Sequence, residues 1–466
     1  MVPSALMTAE RTRSHVVAST KETTRADYSQ YLTPFQTAKL AASMFSDYVD
    51  GQMLRCLDLG AGTGILSVAL AERYGGRMSV DCIEIDPNLA AICDGELARL
   101  EVRHRVFVGD ALLAPIEPGY DRVILNPPYK KMAAGDARQA GLPTRSPNLY
   151  SAFMMVALWA LAPGGECVAI VPRSWTNGQY FQQFRMWAFS NCSLDAMHIY
   201  GSRTEIFSDT NVLQETMLVR FSKRPQVPTI RVSESQVKDS EPIVHEYAFN
   251  ELVGADGDLA VRVTPAGRGS LDGMVALKAS GLCASTGKVV DFRSREVLRR
   301  EFEPGLNRLI YAKNFTQDGF EHPIDDYKPQ WIDCSSDKFT KQLIPEGSYV
   351  VVKRFSSKEE VRRVKAYVLD LDEPEALENH LNYIHAGTPR RTVPLDPTLA
   401  RGLALWLSST GVDAWFRARS GSTQVNASDL NATPVPSAKQ LVELGERWSL
   451  GLTQEEVDGL CQSVLL

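Results

Sequence analysis

The feature that most constrains this chain is a turn. An apolar run from Met53 to Leu59 delivers Asp58-Leu59-Gly60-Ala61-Gly62-Thr63-Gly64, and Ile65, Leu66, Ala69 and Leu70 then recur at the spacing of one helix face. Glycines at alternate positions permit a tight turn and let a ligand lie against N–H groups at the helix start. Apolar runs and helical patterns keep alternating to about Phe221, with strands expected at Met78 to Ile85, Val102 to Val108, Tyr120 to Leu125 and Cys167 to Val171. The expected fold class is α/β: a Rossmann-like first domain with a parallel sheet and crossover helices.

A chain of 466 residues is too long for one ordinary hydrophobic core, so two domains are expected. The polar, proline-containing stretch from Lys223 to Pro228 marks the expected boundary. The reading is then a flexible N-terminus at 1–25, a catalytic domain at 26–225 and a mixed α+β domain at 226–466. No run approaches the apolar length of a membrane span and the polar start lacks a secretory signal's core, so a cytoplasmic protein is expected. The eight scattered cysteines lack zinc or disulfide spacing and read as reduced core residues, and no metal site is expected.

The third link is chemical. Glu84 ends the second expected strand twenty residues past Gly64, placed to hold a ribose diol. A nicotinamide dinucleotide site would want glycine where the chain has Ile65 and an uncharged turn, whereas Asp58 suits a cofactor carrying an amino group. The third strand delivers Asp110, whose carboxylate can accept from an adenine amino group; the plainer reading is a helix N-cap. Together Asp58, Gly60, Gly62, Gly64, Glu84 and Asp110 describe a site for S-adenosylmethionine.

The fourth strand ends in Asn126-Pro127-Pro128-Tyr129, at the sheet edge where open α/β folds bind ligands. Two prolines stiffen the backbone. An exocyclic amine on a planar base is a poor nucleophile, because its lone pair is delocalised into the ring. The Asn126 side-chain oxygen and the Pro127 carbonyl can each accept one N–H and bias that nitrogen toward attack. Tyr129 offers a face on which an extruded base can stack.

With these motifs in this order, the chain resembles the gamma-class N6-adenine DNA methyltransferases of type II restriction-modification systems, PstI-like members among them. The resemblance implies a Rossmann-like class I methyltransferase domain followed by a C-terminal target-recognition domain. It assigns Thr33 and Pro34 to a segment closing over the methionine end of S-adenosylmethionine. It also implicates Phe207, before Val212-Leu213-Gln214-Glu215-Thr216-Met217, as a second aromatic against the flipped adenine. The implied partners are double-stranded DNA and a separate restriction endonuclease.

Charge bears on the DNA reading. The net charge is −6, and residues 1–225 hold 22 basic and 22 acidic side chains, so contacts to phosphates must come from local clusters. Two stand out: Lys288, Arg293, Arg295, Arg299 and Arg300, and then Lys353, Arg354, Lys358, Arg362, Arg363 and Lys365. Lys288, Arg293, Arg295, Lys353 and Arg354 are the expected DNA contacts, against the plain reading of a solvated face. His380 and His385 are expected to be structural. An RNA-amino or protein-glutamine methyltransferase using the same tetrapeptide, and a non-catalytic DNA-binding protein, are the competing readings. A cytosine C5 enzyme is excluded because no Pro-Cys dipeptide occurs.

Overall fold

The computed structural model describes residues 4–19, 32–47, 51, 53–200, 216–235, 242–254, 259–262, 271, 274–316, 319–356, 360–419 and 424–465. The chain divides into two units, Met1–Pro265 and Ala266–Leu466.

The first unit is built on a nine-stranded sheet. Its strands are β1 (Leu54–Leu59), β2 (Met78–Glu84), β3 (Arg103–Val108), β4 (Tyr120–Leu125), β5 (Leu161–Pro172), β6 (Ser193–Tyr200), β7 (Thr216–Ser222), β8 (Thr229–Ser235) and β9 (Ile243–Ala248). They lie in the order β3-β2-β1-β4-β5-β7-β6-β8-β9. The five strands from β3 to β5 run parallel, and β7 is antiparallel to both β5 and β6. β1 is central, and from Cys56 to Leu59 its residues are buried on both faces, as a covered parallel strand requires. Because β2 lies on one side of β1 and β4 on the other, the chain order reverses there and a crevice opens at the carboxyl ends.

Helices Ile65–Tyr74, Pro87–Ala98 and Leu149–Ala160 flank this edge. Their starts are local decisions. Asp86 caps the second by accepting from the Asn88 N–H at 2.8 Å, with Pro87 at the first helical position, and Asn148 caps the third by accepting from the Ser151 N–H at 3.2 Å.

Two expectations are corrected. The boundary does not fall near 225: Lys223 to Pro228 is the connection from β7 to β8, and β8 pairs with β6 and β9 to extend the same sheet. Its prolines break a strand, but Ile230 and Val232 alternate into the core and carry the sheet onward. Nor is 1–25 a flexible tail throughout, because Ala5–Ser19 is a helix that buries Leu6, Ala9 and Arg13 at helical spacing. Residues 20–25 lie outside the described set.

The second unit is mixed α+β, as expected. Strands Leu282–Thr286, Leu381–Thr388, Gly347–Lys353 and Ala366–Leu371 lie side by side in that order, and helices Pro397–Leu407, Thr410–Arg419 and Ala438–Glu446 contribute to its largest apolar cluster. Between the first two of these helices the chain breaks at Ser408 and Ser409. All eight cysteines are buried and unpaired. Among the described residues no helix is long and apolar enough to cross a membrane.

Candidate active site

The glycine turn takes the shape its sequence demands. Gly60, Gly62 and Gly64 have φ of 76°, 56° and 83°, a left-handed region costly for residues with a Cβ. Space is also short: a Cβ on Gly62 would come within 2.9 Å of Leu32 Cδ2, and one on Gly64 within 2.8 Å of Cys93 Sγ. The turn borders a cavity of about 440 Å³ whose walls include Gly60, Gly62, Glu84, Ile85, Asp110, Asn126 and Pro128.

Glu84 is buried and accepts from the Gly62 N–H at 2.7 Å and the Asp86 N–H at 2.9 Å. Burial raises its pKa above the usual carboxylate value, against those two donors. Asp58 differs from expectation. It is fully buried at the end of β1 and does not line the cavity; its Oδ2 accepts from Ser67 at 2.7 Å, which ties the strand to the following helix. Its Oδ1 is buried and has no hydrogen-bond partner among the described residues, and burial pushes the carboxyl up to about 7.

Asp110 makes the cap contact weighed for it and also stands in the cavity wall. Oδ1 accepts from the Leu112 N–H at 2.9 Å, a turn cap, while the residue also faces the cavity. Its Oδ2 is met by Arg138 Nη1 at 3.2 Å. Arg138 is held in turn by Asp136 through contacts of 2.9 and 2.6 Å, and that bond keeps the Asp136 carboxyl down at about 2.

Asn126 directly follows β4 and reaches the cavity. Its amide is held at both ends: Nδ2 donates to Thr33 Oγ1 at 3.0 Å, and Oδ1 accepts from the Tyr129 hydroxyl at 3.0 Å. Tyr129 is half-buried, meets Tyr150 edge-on with ring centroids 6.2 Å apart, and its hydroxyl also lies 3.2 Å from the Ile170 carbonyl. Pro127 is buried, and no hydrogen bond to its carbonyl occurs among the described residues. Thr33 and Pro34 do not line the cavity. Thr33 orients Asn126, Pro34 stands at the N-cap of helix Phe35–Ser43, and the neighbouring Leu32 supplies the wall. Phe207 lies outside the described residues.

Residues 36–192 match the family described as Methyltransferase small domain. Over 95% of its length the chain is 33% identical to the type II methyltransferase M.PstI of Providencia stuartii, covering 94% of that protein. It is 33% identical to the type II methyltransferase M.BsuBI of Bacillus subtilis, over 95% of this chain and 95% of that protein. The chain belongs to the family of these type II methyltransferases. Among solved structures, the Type IIL restriction-modification enzyme MmeI in complex with DNA shares the fold over 98% of this chain and 73% of that one, with a TM-score of 0.56 at 13% identity.

In the second unit of the methyltransferase the expected DNA contacts separate into two kinds. Arg293 and Arg295 are exposed and form no ion pair among the described residues; Arg293 rests over the ring of the exposed Phe292, 5.4 Å from its centroid. Lys288, by contrast, donates to the carbonyls of Lys341 and Leu343 at 3.0 and 3.4 Å, and Lys353 donates to the Phe315 carbonyl at 2.7 Å. Burial lowers the pKa of both lysines. Arg354 donates to the Asn379 carbonyl at 3.1 Å. Farther along, Arg363 is buried against Ser356 and the Phe416 ring, Lys365 pairs with Glu360, and Arg362 reaches Gln454 and Thr410. The second basic cluster is thus largely spent inside the fold, and Lys358 lies outside the described residues. His385 is buried between Ser285 and the Ala386 carbonyl, and half-exposed His380 faces the buried Glu378 carboxylate.

Several cavity residues escaped the sequence reading. Leu149 and Phe153 stand four apart on an apolar helix, a spacing that marks one face but not what that face meets. Ile85, Lys130 and Lys131 adjoin recognised motifs, whereas Arg138 sits in a short 3-10 helix, Ala137–Gly141, whose sequence has no pattern to single it out.

Proposed function

We propose that this methyltransferase moves the methyl group of S-adenosylmethionine to N6 of an adenine flipped out of double-stranded DNA, at a specific site. On this reading it works in the cytoplasm as the protective partner of a separate restriction endonuclease. The observation that carries it is the Asn126 amide, fixed by Thr33 and Tyr129 on the rim of the glycine-walled cavity.

The donor set fits the cofactor. Gly60 and Gly62 present bare backbone, Glu84 offers a carboxylate for a ribose diol, and Asp110 offers one for an adenine amine that would compete with Arg138. Behind the turn, the buried Asp58 braces β1 against the following helix through Ser67 and so supports the shape of this wall. S-adenosylmethionine supplies a methyl group already activated on a sulfonium, so no metal is required.

The protein's own work is orientation. With its nitrogen turned to Thr33, Asn126 presents Oδ1 as an acceptor, and the two lone pairs of a carbonyl oxygen can serve a hydroxyl and an amine N–H. The Pro127 carbonyl takes the other N–H. Both acceptors strengthen as the nitrogen becomes tetrahedral and positive, which is the condition for lowering the barrier. Tyr129 and Phe207 hold the extruded base by stacking. In the second unit, Arg293 and Arg295 are the best-supported phosphate contacts because they are exposed and form no ion pair among the described residues.

The coverage of both curated relatives from end to end favours this reading over an RNA or protein methyltransferase and over a non-catalytic binder. The test is to sequence DNA from cells expressing the protein, with detection of modified bases. N6-methyladenine at one recurring sequence is the expected result; methylcytosine, or no modified base, overturns it.

A further inference from the structure

We propose that Glu10 and Arg13 are positioning residues for the Asn126 amide. Together they form an ion pair on the N-terminal helix that grips both ends of the 32–35 segment. Through that segment they set one wall of the cavity and the direction in which Asn126 faces. What Asn126 does to its substrate rests on the function proposed above; the grip itself rests on geometry.

The helix is anchored before it reaches the strap. The Leu6 N–H donates to Glu72 at 2.8 Å and the Thr12 hydroxyl to Glu96 at 2.7 Å, tying Ala5–Ser19 to the helices that follow β1 and β2. Arg13 is 3% exposed, and a guanidinium that buried must be paired. Both Glu10 oxygens meet it, at 2.7 and 2.8 Å. The pair then reaches in two directions: Glu10 Oε2 accepts from the Phe35 N–H at 3.0 Å, and Arg13 Nη1 donates to the Leu32 carbonyl at 3.4 Å.

The contact at Phe35 fills a gap. Pro34, at the N-cap of helix Phe35–Ser43, provides no side-chain cap, and a carboxylate at a helix start is favourable in charge as well as in hydrogen bonding. Four residues are therefore pinned at the first carbonyl and the last amide. Between those pins stand Leu32, whose Cδ2 occupies the space a Cβ on Gly62 would need, and Thr33, whose hydroxyl receives the Asn126 amide nitrogen. The direction matters chemically. An amide turned through half a revolution offers N–H groups where oxygen stood, and an amine cannot be activated by a donor.

The test uses the full-length protein with Glu10→Ala, Arg13→Lys, Thr33→Val and, on the exposed face of the same helix, Arg11→Ala. In Glu10→Ala, kcat should fall about tenfold or more, since displacements near 1 Å at a reacting centre cost up to a hundredfold. Affinity for S-adenosylhomocysteine by calorimetry should fall several-fold, amide exchange in peptide 32–43 should quicken, and DNA affinity should hold. Arg13→Lys should recover part of each loss, and Arg11→Ala should match wild type. Adding Thr33→Val to Glu10→Ala should cost little more, because both act on one amide. The proposal is overturned if exchange at 32–43 quickens while kcat and S-adenosylhomocysteine affinity stay at wild-type values, or if the Glu10 and Thr33 losses multiply independently. Should Glu10→Ala not fold, Glu10→Gln keeps an acceptor for Phe35 while removing the charge that holds Arg13, and is read by the same criteria. A wild-type protein that methylates no adenine removes the proposed function, while exchange and calorimetry still decide whether the strap exists.

Discussion

At the carboxyl edge of the first sheet, Gly60, Glu84, Asp110 and Asn126 come from four separate stretches of chain and meet around one cavity. In the second unit, Lys353, Arg354, Arg362, Arg363 and Lys365 are near neighbours in sequence and disperse into separate structural contacts. The difference teaches where sequence proximity carries meaning. A residue ending a parallel strand is delivered to the same edge as every other strand end, because the hydrogen-bonded register fixes it. A cation on a long side chain goes wherever a carbonyl or carboxylate lies within reach, and only tertiary packing sets that.

The largest expected effect attacks the first region at its chemical centre. Asn126→Ala should lower the single-turnover rate of methyl transfer by about a hundredfold or more with DNA affinity retained, since the lost acceptor acts most strongly in the transition state. Loss of DNA binding in step with rate would instead make Asn126 a recognition residue, and the contrast between the two regions would blur.

Asp58 tests whether burial at this edge is tuned. Burial pushes its carboxyl up to about 7 in the folded protein from an ordinary 3.8, so the folded state keeps a proton that the unfolded chain gives up between those values. Its contribution is therefore fully present below about pH 4 and is lost as pH rises through 7. From pH 5 to 8 this one group should remove about 3 kcal/mol of stability, and Asp58→Asn should flatten that fall in urea denaturation by the same amount. An unchanged slope would mean that the buried oxygen is paired in solution.

Tyr129 separates stacking from hydrogen bonding. Tyr129→Ala should cost about 1 to 3 kcal/mol of base capture, read from a fluorescent adenine analogue at the target position. Tyr129→Phe should keep base capture and lose about 1 kcal/mol or less in transition-state stabilisation, through the hydroxyl on Asn126 alone. Equal losses in the two variants would place the hydroxyl, not the ring, at the centre of its role.

The smallest effects sharpen the second region. Arg293→Ala and Arg295→Ala should each lower the salt slope of DNA binding by about 1. Lys353→Ala should instead lower thermal stability by about 1 kcal/mol, through the Phe315 carbonyl it leaves, with the salt slope unchanged. Reversed results would mean that the internal carbonyls release their lysines to DNA.

Much of the first unit was legible because its signals are local. Strand, turn and helix at Asp58 to Gly64 rest on backbone conformations open to glycine, and the expected β4 matched residue for residue at Tyr120–Leu125. The boundary was misplaced because proline and polar residues mark a loop equally well inside a sheet and between domains. Ala5–Ser19 was missed because its buried face is short and includes an arginine, which reads as solvent-facing until Glu10 is seen beside it.

Sequence alone determined the α/β class, the glycine turn and the set of strand-end residues that could serve a nucleotide-like cofactor and an amine. Tertiary structure decided what each polar group does there. It turned Asp58 away from the cavity and onto Ser67, set Arg138 against Asp110, used Thr33 to orient Asn126, and left Arg293 and Arg295 exposed while Lys288 and Lys353 were drawn onto carbonyls. The physical reason is range. Backbone torsions and side-chain periodicity act over a few residues and are written in the local sequence, whereas buried polar groups must find partners wherever the fold brings donors and acceptors together.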